Sequence, residues 1–216
     1  MDKLKFSPRA MMKNAVSLFN RIRSLSDGLS AKIGRLRQYV YSDRYCQKFK
    51  CSDCYFLRPI GLVVGPDCFS IGEGSIFGKH ASLTAWSSYE GFDYSPHVSI
   101  GPKCNFGDYL HLTCIDSISI GAGVLTGKWV TITDNSHGTT EEIVESVAPH
   151  ARKLHSKGPV VIEDNVWIGD KVTILPGVVI GRNSIIGANS VVTAPVPPNC
   201  VAAGIPARVI SRISDT

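Results

Sequence analysis

The segment Asp134-Asn-Ser-His-Gly138 places a histidine and a carboxylate where proton transfer could occur. Histidine, the residue at 137, suits a general base, because the ordinary pKa of an imidazole lies near neutrality and such a ring can take a proton from a hydroxyl and return it. Asp134 could fix the imidazole tautomer by accepting from its ring N–H, as could an insertion residue such as Glu141. Alternatively, His137 only hydrogen-bonds its loop and Asp134 only forms a turn.

A six-residue repeat surrounds this segment and must position it. An aliphatic residue occupies every sixth position of one long run: Ile162, Ile168, Ile174, Ile180, Ile186 and Val192. The position four after each is small or β-branched: Val166, Val172, Val178, Ser184, Ser190 and Val196. Neither the helical period of about 3.6 nor the strand period of about 2 produces such a repeat. It is typical of a parallel β-helix, in which three short strands close each triangular coil.

Two breaks in the repeat predict loops that leave this all-β solenoid. The repeat is weak from residue 62, stops over 86–97, and stops again over 138–158. The second break is a charged insertion, and solenoids commonly place function in such insertions. His137 lies at its start, so we expect the insertion to present this imidazole.

The first 50 residues are basic, with 12 Lys and Arg against 3 Asp and Glu. We predict a helix over 9–40, interrupted by Ser-Asp-Gly at 26–28. One face would carry Met11, Ala15, Leu18, Ile22 and Leu25. This segment is expected to cap the open end of the first coil, with an anionic membrane surface as the alternative. The predicted domains are a helical cap over 1–58 and the β-helix over 59–210.

Hydropathy and the number and spacing of cysteines indicate where in the cell the protein is located. No apolar run approaches the roughly 18 residues of a membrane-spanning helix, and none resembles a signal peptide. We therefore expect a cytoplasmic protein, peripheral at the inner face of the membrane if the basic segment binds there, and no nucleic-acid partner. Cys51 and Cys54 form the one close cysteine pair, so reduced thiols packed as small apolar side chains are expected.

Four motifs, in order and in register, resemble the hexapeptide-repeat acyltransferases. They are PVVIEDNVWIG at 159–169, LPGVVIG at 175–181, IGANSVVT at 186–193 and GIPAR at 204–208. The resemblance covers about residues 60–210 and is greatest to O-acetyltransferases of bacterial capsule, lipopolysaccharide and exopolysaccharide synthesis. It implies a left-handed β-helix that forms a homotrimer, with acetyl-coenzyme A in the groove between neighbouring subunits. It also implies that a histidine base lets a sugar hydroxyl attack the thioester directly.

The resemblance assigns roles to individual residues. The family motif Asp-His-x-His-Gly matches 134–138, so its second, catalytic histidine corresponds to His137, while Asn135 replaces the first. Acceptor contacts are implied for Asp108, His111 and Trp167. Coenzyme A contacts are implied for Trp167, Gly169, Asp170, Gly187, Ala188, Thr193, Ala194 and Arg208. Ala194 stands where the family has a lysine, whose phosphate contact could come from Lys171 or Arg182. Trp167 could equally form a subunit contact.

Three alternatives stay open. The acceptor could be the amine of a nucleotide-linked amino sugar. A zinc enzyme of the γ-carbonic anhydrase type would need three histidines on ladder faces, whereas His150 and His155 lie in the insertion. A non-catalytic scaffold would release no thiol from acetyl-coenzyme A. The favoured interpretation needs acetyl-coenzyme A as donor and no metal.

Overall fold

A computed structural model describes residues 8–139 and 147–213, with side chains from Asp27 onward. One 42-residue helix, α1 (Pro8–Phe49), precedes a series of short strands. The strands form three sheets, and neighbouring strands within each sheet come from successive coils and pair in parallel, apart from the final antiparallel hairpin. The chain therefore winds as the predicted three-sided parallel β-helix.

The three sheets contain eight, six and five strands. In spatial order, the first sheet contains Tyr55–Phe56, Ile76–Phe77, Asn105–Phe106, Leu125–Thr126, Trp167–Ile168, Ile185–Ile186, Cys200–Gly204 and Ala207–Arg212. The second contains Val63–Val64, Ser82–Ala85, His111–Cys114, Thr131–Thr133, Thr173–Ile174 and Val191–Val192. The third contains Phe69–Ile71, His97–Ile100, Ser117–Ile120, Val160–Ile162 and Val179–Ile180. Two antiparallel hairpins lie outside them: Ser88–Tyr89 with Phe92–Asp93, and Ser136–His137 with Leu154–His155. Short 3₁₀ turns occur at Pro66–Cys68 and Pro149–Ala151.

The predicted hexapeptide repeat forms the core. Its aliphatic positions fall in turn on the third, first and second sheets, and each is 1% exposed or less. Ile168 pairs with Ile186 and Ile174 with Val192, so identical positions stack in successive coils. The small positions from Val166 to Val196 are buried as well. Both parts of the repeat prediction are confirmed.

Each coil turns at three corners. The first corner joins the first sheet to the second, the second corner joins the second to the third, and the third corner returns to the first sheet. At the third corner, Asn165, Asn183 and Asn199 have φ of 58°, 59° and 56°. Asparagine tolerates this left-handed conformation, and the amides form a ladder with N–O distances of 3.4 and 3.0 Å.

Both predicted loops leave the prism at the second corner. Residues 86–96 separate Ser82–Ala85 from His97–Ile100, and residues 134–159 separate Thr131–Thr133 from Val160–Ile162. The strands on either side keep their parallel register with the adjoining coils. The described residues of both loops therefore lie outside the three sheets, and hydrogen bonds from Tyr89 and Tyr94 join one loop to the other.

The last turns of α1 cover the first coil. Phe49 is buried and its ring stacks on Phe56 at a centroid distance of 5.5 Å, and Phe56 stacks on Phe77 at 4.8 Å. The Phe56 N–H donates to Ser42 Oγ at 2.6 Å. Apolar rings and a backbone donor at the end of the prism are thereby removed from water.

The predicted interruption of the helix at 26–28 is wrong, since α1 is continuous from Pro8 to Phe49. One glycine costs about 1 kcal/mol in a helix, whereas a break would leave unpaired backbone groups at two new ends. By its internal contacts the chain divides into two compact units, Met1–Val40 and Tyr41–Thr216. The side chains of the apolar face predicted for Met11 to Leu25 lie outside the described residues. No described helix is both long enough and apolar enough to cross a membrane.

The stacked core predicts a large cost for truncating a repeat position. Ile168→Ala should lower the free energy of unfolding by about 2–5 kcal/mol, because it leaves a cavity in a fully buried column. The exposed corner substitution Glu73→Ala should change it by about 0.5 kcal/mol or less. Urea denaturation measures both, and an equal, small cost at the two positions would contradict this packing.

Candidate active site

A groove of about 290 Å³ lies on the outer face of the second sheet. Its floor consists of outward-facing side chains of two adjacent strands: Ser82, Thr84, His111 and Thr113. Its walls come from Leu62 and from the two loops of the second corner: Trp86, Tyr89, Asn135, His137 and Leu154. The repeat thus supplies a flat polar floor, and the loops turn it into a cavity.

His137 stands in the wall of this groove with an exposed side chain. It belongs to the insertion hairpin, in which Ser136 pairs with His155 and His137 with Leu154. The ring of Tyr89 lies edge-on to the imidazole, with centroids 5.6 Å apart. An imidazole held in this way is open to a substrate hydroxyl, as a general base requires.

Two tyrosines of the first loop hold the insertion hairpin. The Tyr89 hydroxyl donates to the carbonyl of His150 at 2.8 Å, and the Tyr94 hydroxyl accepts from the N–H of Leu154 at 2.8 Å. The position of His137 therefore depends on a loop that lies about 40 residues earlier in the chain. Sequence reasoning missed both contacts, and the aromatic content of 86–97 was the only available signal.

Asp134 is fully buried at the start of the insertion. Its carboxylate accepts from the N–H groups of Ile115 and Asp116 at 3.0 and 2.8 Å and from the thiol of Cys114 at 3.1 Å. Burial, and then the negative charge of Asp134, raises the pKa of the Cys114 thiol, so this thiol stays protonated and keeps donating. Asp134 thus fastens the insertion to the second corner of the preceding coil.

These contacts match the turn-forming alternative for Asp134. No described contact joins its carboxylate to the imidazole of His137, and the role as a tautomer-fixing partner stays a prediction. Asn135 has a similar structural role, since its amide donates to the carbonyl of Thr113 at 3.3 Å and to Asp134 at 3.0 Å. Glu141, the other predicted partner, lies outside the described residues.

The predicted acceptor residues are separated within one chain. His111 lies in the floor of the groove, whereas Asp108 and Trp167 are not among its lining residues. Asp108 is at the first corner, where its carboxylate accepts from the N–H of Lys79 at 2.9 Å. Trp167 points outward from the first sheet and is 51% exposed.

The first corner also carries an aromatic stack that the sequence did not reveal. The rings of His80 and Tyr109 are 4.7 Å apart and those of Tyr109 and Trp129 are 3.8 Å apart, each pair nearly parallel. All three residues have φ near +60°, a conformation that costs bulky residues energy. Stacking, at about 0.5–1.5 kcal/mol for each pair, offsets part of that cost.

The predicted coenzyme A residues lie along two edges and the final hairpin. Gly169, Asp170, Gly187 and Ala188 occupy the first corner of two successive coils, with Asp170 and Ala188 exposed. A Cβ atom at Gly169 would lie 2.6 Å from the backbone nitrogen of Ala188, so coil stacking alone requires glycine there. The Asp170 carboxylate accepts from the N–H of Lys128 at 2.7 Å.

The remaining predicted contacts lie elsewhere. Thr193 and Ala194 are exposed at the second corner of the last coil, and Arg208 is exposed on the strand Ala207–Arg212. Lys171 shares the first corner with Gly169, whereas Arg182 lies at the third corner. Of the two substitutes for the missing lysine, Lys171 therefore lies on the same edge as the predicted coenzyme A contacts Gly169 and Gly187. An exposed indole and exposed cations fit a ligand that combines an adenine with phosphates.

The histidines of the zinc alternative do not converge in the described part of the chain. His150 lies in the 3₁₀ turn Pro149–Ala151 and His155 in the insertion hairpin. Among the residues described, no three His, Cys, Asp or Glu side chains form a group able to hold a metal ion. Cys104, Cys114 and Cys200 are buried as free thiols in the core.

Known proteins share this repeat and fold. The sequence profile of the family "Bacterial transferase hexapeptide (six repeats)" matches residues 159–194. WbbJ of Escherichia coli K12, assigned as an O-acetyltransferase of lipopolysaccharide biosynthesis, is 35% identical over 162 residues, which are 73% of this chain and 81% of WbbJ. A protein of Schizosaccharomyces pombe assigned as an acetyltransferase is 39% identical over 82% of this chain and 88% of its own length.

The chain belongs to the hexapeptide-repeat acyltransferases. Galactoside O-acetyltransferase of Escherichia coli K12 is 41% identical, over 57% of this chain and 58% of that enzyme. AntD, an N-acyltransferase from Bacillus cereus solved with dTDP-4-amino-4,6-dideoxyglucose and coenzyme A, superposes with a TM-score of 0.60. It is 18% identical and covers 76% of this chain and 83% of AntD, so it shows the fold alone. This acyltransferase is a left-handed parallel β-helix, as predicted.

The contacts of Asp134 predict a structural penalty in this acyltransferase. Asp134→Asn should lower the free energy of unfolding by about 2–4 kcal/mol, because an amide NH₂ would face buried donors. The matched control Asp108→Asn, at a partly exposed corner, should cost about 1 kcal/mol or less. Urea denaturation compares them. An unchanged stability with a lower kcat would instead indicate that Asp134 acts directly on His137.

Proposed function

We propose that this acyltransferase transfers an acetyl group from acetyl-coenzyme A to a sugar hydroxyl in the biosynthesis of a capsule, lipopolysaccharide or exopolysaccharide. The observation that carries this proposal is the exposed imidazole of His137 in the wall of a polar groove. WbbJ and the galactoside enzyme, both named as O-acetyltransferases, support the reaction class.

The proposed reaction needs one base and no covalent enzyme intermediate. His137 removes the proton from the acceptor hydroxyl while its oxygen attacks the thioester carbonyl carbon. The tetrahedral intermediate then collapses, the C–S bond breaks, and the coenzyme A thiolate takes the proton from the imidazolium. The products are an acetyl ester and free coenzyme A, and the imidazole returns to its neutral form.

The groove suits a sugar acceptor. Its floor offers the imidazole of His111 and the hydroxyls of Ser82 and Thr113, and Trp86 and Tyr89 add aromatic surface beside the base. Hydroxyl and imidazole groups bind sugar hydroxyls, and aromatic rings pack on the apolar faces of sugar rings. The relatives WbbJ and galactoside O-acetyltransferase, both named as O-acetyltransferases, favour a hydroxyl acceptor over the amine alternative.

The donor site is proposed to lie between subunits of a homotrimer. His137 stands beside the second corner, whereas Trp167 lies on the first sheet and the predicted coenzyme A contacts Gly169 and Gly187 lie at the first corner. A neighbouring subunit could bring the missing parts of the site to each groove. Leu125 and Trp167, exposed side by side on the first sheet, offer apolar surface for such a contact. Asp108 remains a proposed acceptor contact in this arrangement.

Removing the base tests the proposal. His137→Ala should lower kcat/KM by at least about two orders of magnitude, because acceptor deprotonation loses its base. His97→Ala, at an exposed histidine that is not among the groove lining, should have little effect. The assay is thiol release from acetyl-coenzyme A across lipid-linked glycans, nucleotide sugars and free sugars. Full acceptor-dependent activity in His137→Ala would contradict the mechanism.

Shortening the exposed indole tests the proposed donor site. Trp167→Ala should raise the KM for acetyl-coenzyme A by about tenfold, with a smaller change in kcat. A tryptophan that becomes buried when its ligand binds commonly contributes more than about 1 kcal/mol to binding. Tyr55→Ala, on the same sheet but in the first coil, serves as the control. Steady-state kinetics with acetyl-coenzyme A varied separates the two, and an unchanged KM in Trp167→Ala would contradict the assignment.

A further inference from the structure

Residues 29–40 of α1 carry an exposed apolar stripe. Leu29, Ile33, Leu36 and Val40 follow a 4-3-4 spacing, which places them on one helix face. They are 61%, 42%, 63% and 59% exposed. A contiguous row of four exposed aliphatic side chains on one helix face is typical of a surface that binds a protein or a membrane.

Cations line both sides of this stripe. At 100° per residue, Lys32 and Arg37 lie roughly 70° to either side of its centre. Both are exposed. The one acid between residues 27 and 40, Asp27, falls on the opposite side of the helix by the same arithmetic. Lys and Arg in these flanking positions can extend their ammonium and guanidinium groups to the level of lipid phosphates while their alkyl chains follow the aliphatic stripe.

We propose that residues 29–40 of α1 bind in the plane of an anionic phospholipid leaflet, with the stripe Leu29–Val40 inserted among the acyl chains and Lys32 and Arg37 at the phosphates. The helix would lie on the surface, because it is not apolar enough to cross a membrane. This role goes beyond the proposed acetyl transfer and does not depend on which acceptor is used. From the sequence, an anionic membrane surface is the alternative partner of the basic segment. The stripe Leu29–Val40 is the helix face that would bind that surface.

The flanking charges distinguish this partner from a second copy of the chain. A 4-3-4 spacing also fits a coiled-coil seam, in which the flanking positions of adjacent helices come together. In α1 those positions carry Lys32 and Arg37, and no acid in the described part of the stripe could pair with them. Self-association would bring like charges together, whereas an anionic leaflet supplies the opposite charge.

Co-sedimentation of the full-length protein with vesicles tests the proposal. The vesicles contain phosphatidylcholine with about one third phosphatidylglycerol, or phosphatidylcholine alone. Leu36→Glu should weaken binding to the anionic vesicles by at least about tenfold, because it places a charge among acyl chains. Ala31→Glu adds the same charge on the opposite face and should stay within about threefold of the wild type. The double substitution Lys32→Gln and Arg37→Gln should weaken anionic binding by about tenfold or more.

Other results would overturn it. Equal losses in Leu36→Glu and Ala31→Glu would show that only net charge matters, and equal binding to both kinds of vesicle would remove the role of the flanking cations. If the sedimentation mass without vesicles falls in Leu36→Glu alone, the stripe joins copies of the chain. Far-ultraviolet circular dichroism confirms that each variant folds, and thiol release with a soluble acceptor reports separately on the acetyl-transfer proposal.

Discussion

Parallel pairing between successive coils is the constraint on which the rest of this molecule depends. Each strand forms backbone hydrogen bonds with the equivalent strand of the adjoining coil. Each inward side chain must therefore lie over its equivalent in the next coil. Residues that do not fit this register can leave only at a corner. Both loops leave at the second corner, and this shared exit allows two distant segments to build one groove.

The groove combines a rigid floor with a base held by long-range contacts. His111 is fixed by the sheet, whereas the insertion that carries His137 is held by hydrogen bonds of Asp134, Tyr89 and Tyr94. A fully buried carboxylate is stable at this position because backbone N–H groups and a protonated thiol satisfy it. The described hydrogen bonds of this carboxylate go to backbone N–H groups, a thiol and the amide of Asn135, and they fix the geometry of the insertion.

The parts that could be predicted are those governed by a local period. The burial of Ile168 and the outward direction of Trp167 follow from the six-residue repeat, because each position's environment recurs in every coil. The continuity of α1 could not be predicted in this way, because Ser-Asp-Gly at 26–28 is compatible with a break. The helix continues because the unpaired backbone groups of two new helix ends would cost more free energy than one glycine in a helix. The contact between Tyr89 and His150 spans 61 residues and has no local signature. The role of Asp134 depends equally on where an earlier coil places its N–H groups.

The requirement for glycine in the late coils follows from the fold alone. Gly169 is required by the approach of Ala188 in the next coil, whether or not a ligand also contacts it. The decisive evidence for the chemistry must therefore come from the groove. The most direct measurement is a structure of the assembled enzyme with coenzyme A and a sugar acceptor. We predict an acceptor hydroxyl within about 2.6–3.2 Å of a ring nitrogen of His137. An acceptor ordered away from His137, with the thiol of coenzyme A beside it, would contradict the assignment of His137 as the base.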